Sequence, residues 1–135
     1  MMLVYDDVLN AIISAAQAMT ALRIFKGSMP ANESIAIDIG AGGPNRIMLN
    51  RSTLESLSIV INGKSRQMAT VRGALDAIHQ GLSRTAQYED NDNFQIYSVE
   101  TTSAPSYAGR EPNDQWLFVS SMRVKFYNKG GAANG

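Results

Sequence analysis

Cysteine is missing altogether from the 135 residues. The chain therefore has no disulfide frame and no thiolate chemistry, and its stability must come from a core or from partners. Histidine occurs once, at His79. With one histidine and no cysteine, zinc sites and the usual Ser-His-Asp or Cys-His arrangements are practically excluded. An excess of either charge is missing too, since twelve basic residues balance twelve acidic ones. Binders of nucleic acid or anionic membranes ordinarily show a basic excess, so composition makes no electrostatic case for either. Near-zero net charge also removes one brake on self-association. No run approaches the roughly 20 apolar residues that a membrane span needs. The start, Met1 to Asp7, lacks the basic residues of a signal peptide. A soluble intracellular product with no membrane contact is expected.

What the chain does have is patterning, organised around Phe94–Tyr127. This stretch reads as two strands, Phe94–Thr101 and Gln115–Tyr127, joined by a polar loop rich in turn-forming residues. In the second, Trp116, Phe118, Met122, Val124 and Phe126 fall at even positions, and Arg123, Lys125 and Tyr127 at odd ones. That is the period of a strand with one face on a core and one face wet. Trp116, Phe118 and Phe126 are accordingly assigned to the core.

Upstream, Asp6 or Asp7 can cap a helix over Tyr5–Thr20, where Val8, Ile12, Ala15, Ala16 and Met19 recur at helical spacing. Leu22–Lys26 reads as a short strand, and Ile35, Ile37 and Ile39 alternate in another. Asn45–Arg51 forms a loop or a short irregular strand. A strand over Thr53–Ile61 follows, ended by the turn signal Asn62-Gly63. Ser65 offers an N-cap to a second helix, with Met68, Val71, Leu75, Ile78 and Leu82 as its apolar stripe. The order predicts an α+β fold: a mostly antiparallel β-sheet with two α-helices packed on one face and a long C-terminal β-hairpin. Residues 1–127 are expected to form a single domain, and 128–135 a flexible tail rich in Gly, Ala and Asn.

Motifs that carry chemistry fail on inspection. Gly40-Ala-Gly-Gly begins like a dinucleotide fingerprint, but Asn45 stands where the third glycine belongs, and Pro44 follows with no helical pattern after it. A loop needing positive φ angles explains these glycines better. Glu89-Asp-Asn-Asp-Asn resembles the start of a calcium loop, but Gln95 and Thr101 occupy the required glycine and glutamate positions. His79 flanks the Leu75/Ile78/Leu82 stripe and reads as a half-buried boundary residue rather than a general base. No catalytic residue, cofactor site or metal site emerges. Arg46, Arg51, Lys64, Arg66 and Arg72 read either as a solvated face or as a basic surface meeting an acidic partner or DNA. The odd face of the last strand invites the same two readings.

The segment Ser103-Ala-Pro-Ser-Tyr-Ala-Gly-Arg, followed by an aromatic strand, resembles the minor capsid or tail terminator family of long-tailed bacteriophages. The helical start, the Ile35–Ile39 strand, Gly42-Gly43-Pro44, and Leu57-Ser-Ile-Val-Ile-Asn-Gly-Lys leading to a helix agree with it. The resemblance spans about Val4 to Tyr127. The chain departs from the pattern in a longer acidic turn at Glu89–Asn93 and in its glycine-rich tail.

The resemblance implies a structural, non-enzymatic virion protein of the tail and neck, assembled in the host cytoplasm. Such proteins form a homo-oligomeric ring, usually a hexamer, at the head-proximal end of the tail tube. The ring ends tube polymerisation and joins the tail to the head's connector. Its implied partners are other copies of itself, the tail tube protein and the head-completion or connector protein, with genomic DNA passing the channel without sequence specificity. No cofactor is implied. Two loops are expected to carry the contacts: Gly42, Gly43, Pro44, Arg46 and Arg51 in one, and Pro105, Tyr107, Arg110 and Glu111 in the other. Tyr107 and Arg110 are the expected anchors, since aromatics and arginine dominate interface energetics. A purely local packing role for Tyr107 stands beside that reading. Two alternatives remain: another neck protein, such as a head-completion or stopper subunit, and a non-viral α+β domain binding a small ligand or peptide. A small hydrolase or transferase ranks last, for want of a nucleophile–base pair.

Overall fold

The computed structural model describes residues 4–40, 45–49, 52–84 and 93–129. Its elements are α1 (Val4–Gln17), β1 (Ile24–Lys26), β2 (Ser34–Ile39), β3 (Asn45–Leu49), β4 (Ser52–Ser65), α2 (Met68–Arg84), β5 (Phe94–Arg110) and β6 (Trp116–Asn128). One sheet runs β1-β2-β4-β6-β5, and β3 pairs with β4 beyond the end of β2. Among the described strands only β1 and β2 pair in parallel; the other pairings are antiparallel. Both helices cover the same face, so the fold is α+β, as the patterning predicts.

Alternation builds that face. Ile35 and Ile37 of β2, Leu57, Ile59 and Ile61 of β4, and Phe118, Met122, Val124 and Phe126 of β6 are all buried. The register lines them up, with Ile37 opposite Ile61, Ile59 opposite Met122 and Leu57 opposite Val124. Strand β5 contributes Phe94, Ile96 and Val99. The change from even to odd positions follows from a bulge between Ile96 and Ser98: one extra residue turns the following side chains over. Over this face α1 lays Val8, Leu9, Ile12 and Ala16, and α2 lays Val71, Leu75, Ile78 and Leu82. Phe118 and Phe126 take the core positions assigned to them, while Trp116 packs only partly buried at the margin.

Several boundaries differ from the sequence reading. Asn62-Gly63 does not end β4, which continues to Ser65. A Cβ at Gly63 would lie 2.8 Å from Val71 Cγ2 and 3.4 Å from Leu75 Cδ2. This glycine lets α2 cross close to the strand; it makes no turn. Gly40 likewise owes its place to space rather than a positive φ: its Cβ would meet Val60 Cγ2 at 2.7 Å, and its N–H donates to Ser58 O at 2.8 Å. Asn45–Leu49 is a strand, paired in unbroken register with Ser52–Ser56.

The largest difference lies in β5. Residues read as a loop from Ser103 onward continue the strand to Arg110. Pro105 fits because the register is interrupted between Ser103 and Ser106, so no ladder hydrogen bond is demanded of it. Gly109, with φ of 149°, sits at a further irregularity. The true turn is short. Glu111 N–H donates to Gln115 O and Asp114 N–H to Glu111 O, each at 2.9 Å, and Asp114 takes the left-handed conformation that aspartate tolerates.

The outer edge of β1 is capped at its start by a side chain. Arg23 O accepts from Ile35 N–H, so the Ile24 N–H points away from β2. Gln17, at the end of α1, accepts from Ile24 N–H at 3.0 Å and donates through Nε2 to Leu22 O at 2.9 Å.

Candidate interface at the hairpin end

Register places the expected contact residues at opposite ends of the sheet. Arg110 lies opposite Trp116, which meets Ser65; Ser34, beside Lys64, reaches the same end. Arg46 of β3 lies opposite Glu55, ten residues back along β4 from Ser65. At about 3.3 Å per residue, that separates the two groups by roughly 30 Å. Pro105, Tyr107 and Arg110 lie on β5 and Glu111 opens the turn. Gly42, Gly43, Pro44 and Arg51 lie outside the described residues, as does the acidic turn except for Asn93. One of the two groups therefore forms a describable surface.

At the hairpin end three connections meet. Gln115 Nε2 and Asn113 Nδ2 donate to Ala31 O at 2.7 and 3.3 Å, tying the β5–β6 turn to the segment before β2. Lys64 Nζ lies 3.2 Å from Glu111 Oε1, with the lysine side chain only 6% exposed. Ser65 Oγ donates to Glu33 and accepts from Gln67 N–H at 3.1 Å as the chain turns into α2. Between these ties lies an open cleft of about 580 Å³, lined by Asn32, Glu33, Arg66, Gln67, Thr70 and Asn113 among others. Lys64, read from sequence as part of a basic face, is instead held inside this knot. Removing Glu111 would leave a largely buried lysine without its carboxylate, which makes the pair costly to break from that side.

On the helix-covered face of the same hairpin, aromatic and cationic groups follow one another. Arg72 of α2 lies over the Phe118 ring at 5.9 Å. Tyr107 sets its ring edge-on to Phe118 at 6.1 Å and to Trp116 at 5.6 Å. Arg110 lies over Trp116 at 4.4 Å and ion-pairs with Asp114. Tyr107 thus has the local packing role, yet 55% of it stays exposed. Trp116 reads from sequence as a core residue, and Arg72 as one of five basic residues that either face solvent or meet an acidic partner or DNA. Composition hinted at the arginine, but only the strand register reveals which rings it meets.

The opposite face of the sheet carries the odd residues of β6. There Arg123 donates to Ser56 Oγ at 3.2 Å and Lys125 pairs with Glu100 at 3.1 Å. His79 is buried outright, rather than half-buried at a boundary. Its Nδ1 lies 2.8 Å from Thr101 Oγ1, while Nε2 is buried with no hydrogen-bond partner among the described residues. Burial holds its pKa below the usual histidine value, with the Asp76 carboxylate pulling the other way. Among the described residues no three His, Asp or Glu side chains converge as metal ligands. No described helix is long and apolar enough to cross a membrane.

Against known proteins, the family model described as "Bacteriophage tail terminator protein" matches residues 11–128. The chain belongs to that family. The matched span takes in all six strands, α2, the polar knot and the aromatic–arginine row. The chain is thus a structural protein of the phage virion, sited in its tail. Among solved structures, a chain of "Virion of native gene transfer agent (GTA) particle" is similar in fold. The two are 14% identical with a TM-score of 0.59, covering 90% of this chain and 85% of that one. No curated protein matches. The tail terminator family is the one that the Ser103–Arg110 segment and the strand pattern resemble.

Proposed function

We propose that this tail terminator forms a closed ring, usually of six copies, at the head-proximal end of the tail tube. There it ends tube polymerisation and meets the head's connector, while genomic DNA passes without sequence-specific contact. The role is structural rather than catalytic, and residues 1–127 act as one domain ahead of a short tail. The observation that carries this reading is the family match over residues 11–128. The architecture is compatible with it. A ring of identical subunits needs two different patches on each copy that meet head to tail and close by rotation. Pro105, Tyr107, Arg110 and Glu111 supply contacts at one end of the sheet. Arg46, with Gly42, Gly43, Pro44 and Arg51 in the adjoining sequence, supplies them at the other.

Light scattering of the full chain over a range of concentrations, with negative-stain images of the same sample, tests this. Closed rings of about six copies are expected, either alone or once purified tail tube is added. A monomer that ignores the tube ends would overturn the reading.

A further inference from the structure

The row at the hairpin end has an arginine over an aromatic ring at each side and a half-exposed tyrosine between. Register puts its strand residues on one face, and Arg72 of α2 joins them over Phe118. Arg110 is opposite Trp116 and Tyr107 opposite Phe118, and these β6 residues are two apart, hence on the same side of the strand. The arginines differ in one respect. Arg110 has a carboxylate of its own chain, Asp114, whose side chain is 78% exposed. Arg72 makes no ion pair among the described residues, although Asp76 lies one turn further along α2. A guanidinium lodged over a ring has already lost much of its side-chain freedom, and its donors still match a carboxylate in bidentate geometry. Tyrosine and tryptophan beside such arginines are the residue types that anchor protein interfaces.

We propose that this row docks an acidic segment of a partner protein, with carboxylates at Arg72 and Arg110 and a small or apolar residue over Tyr107. Asp114 is then an internal stand-in for one of those carboxylates, occupying Arg110 until the partner's own displaces it. The occupant follows from charge complementarity: among the described residues, two cations, one without an ion pair and one paired with an exposed aspartate, flank an uncharged aromatic surface. This deepens the reading of Tyr107 and Arg110 as contact residues, but it needs neither a ring nor a tail tube to be tested.

The probe is a fluorescein-labelled octaglutamate peptide, titrated with the full chain at low salt and followed by anisotropy. Binding is expected, weakened about tenfold by Arg72→Gln with Arg110→Gln, each change removing a charge-assisted contact. Arg72→Lys with Arg110→Lys keeps the charge but loses the fork, and is expected to weaken it about threefold or more. Asp114→Asn is expected to tighten binding by about threefold, by freeing Arg110 from its competitor. Lys125→Gln, on the other face, leaves it unchanged. Failure of the peptide to bind, or an Asp114→Asn variant that binds equally or more weakly, overturns the proposal. So does a DNA oligonucleotide that binds more tightly than the peptide with the same dependence on Arg72 and Arg110. Thermal melts of each variant show that a loss of binding is not a loss of fold. If the double glutamine variant does not fold, the lysine and Asp114→Asn variants decide the matter.

Discussion

Phe94–Glu100 and Thr101–Arg110 belong to one strand, and they are held in place by different means. The first half is covered: Phe94, Ile96 and Val99 sit in the core beneath the helices. The second half is almost wholly exposed, with only Pro105 and Gly109 partly sheltered. His79, bonded to Thr101, marks the point where the cover of α2 gives way. Beyond it the chain has Ser, Ala, Pro and Gly, which bury little and have poor strand propensity. Pairing with β6, the rings around Tyr107 and the tied turn at Glu111–Gln115 keep this half extended. One half of β5 thus stabilises the fold, and the other is ordered by it. A segment ordered while burying so little of itself is free to bury surface against something else.

Substitutions in the two halves should separate those roles. Ile96→Ala, in the covered half, is expected to cost about 2–5 kcal/mol in chemical unfolding, because it leaves a cavity among packed neighbours. A loss below about 1 kcal/mol would mean that this half is no more structural than the other. Next in size is Gly63→Ala, whose methyl group must push Val71 and Leu75 away from the sheet; a loss of about 1–3 kcal/mol should appear as a lower melting temperature. Wild-type stability after this change would show that α2 is not seated closely on β4.

At the boundary, His79 gives the comparison a pH dependence. Its folded pKa is depressed by burial, so below about pH 6.5 the unfolded chain takes up a proton that the folded chain refuses. Stability is therefore complete above that pH and falls as the pH drops toward the lowered value, by at most about 1.4 kcal/mol per pH unit from this group. Thermal melts between pH 5 and 7.5 should show this slope, and His79→Leu should flatten it. An equal slope in the variant would assign the acid sensitivity to the carboxylates. The smallest effect on the free chain belongs to Tyr107→Ala, at about 1 kcal/mol or less, since only its edge-on ring contacts are lost. The same change should impair ring closure or attachment to the tube in the assembly assay. If assembly were unaffected, the exposed half would have no contact role centred on Tyr107.

Much of the covered region is legible in the sequence, because burial leaves a period. Even positions in β6, odd ones in β2 and β4, and the stripe of α2 all announce which face meets the core. The exposed half of β5 leaves no such period, since nothing selects for apolar residues there. Ser103–Arg110 has the composition of a loop and becomes a strand only through its partner β6. Asn62-Gly63 misleads for a related reason: a glycine needed for helix–strand closeness looks the same as one needed for a turn. Tyr107 and Arg110 stand out by residue type alone. That Arg72 meets Phe118, or that Lys64 meets Glu111 47 residues away, follows from tertiary pairing that local spacing does not encode. The glutamine that caps β1 is equally silent, being an ordinary polar residue at the end of a helix.

That glutamine has a consequence for life in a crowd. An edge strand offers its backbone to any extended chain that passes, which is how sheets come to recruit copies of themselves. Gln17 gives Ile24 and Leu22 the acceptor and donor that a further strand would bring, using one amide in place of a backbone. A protein of the phage virion thereby blunts this margin of its sheet as a template for other chains.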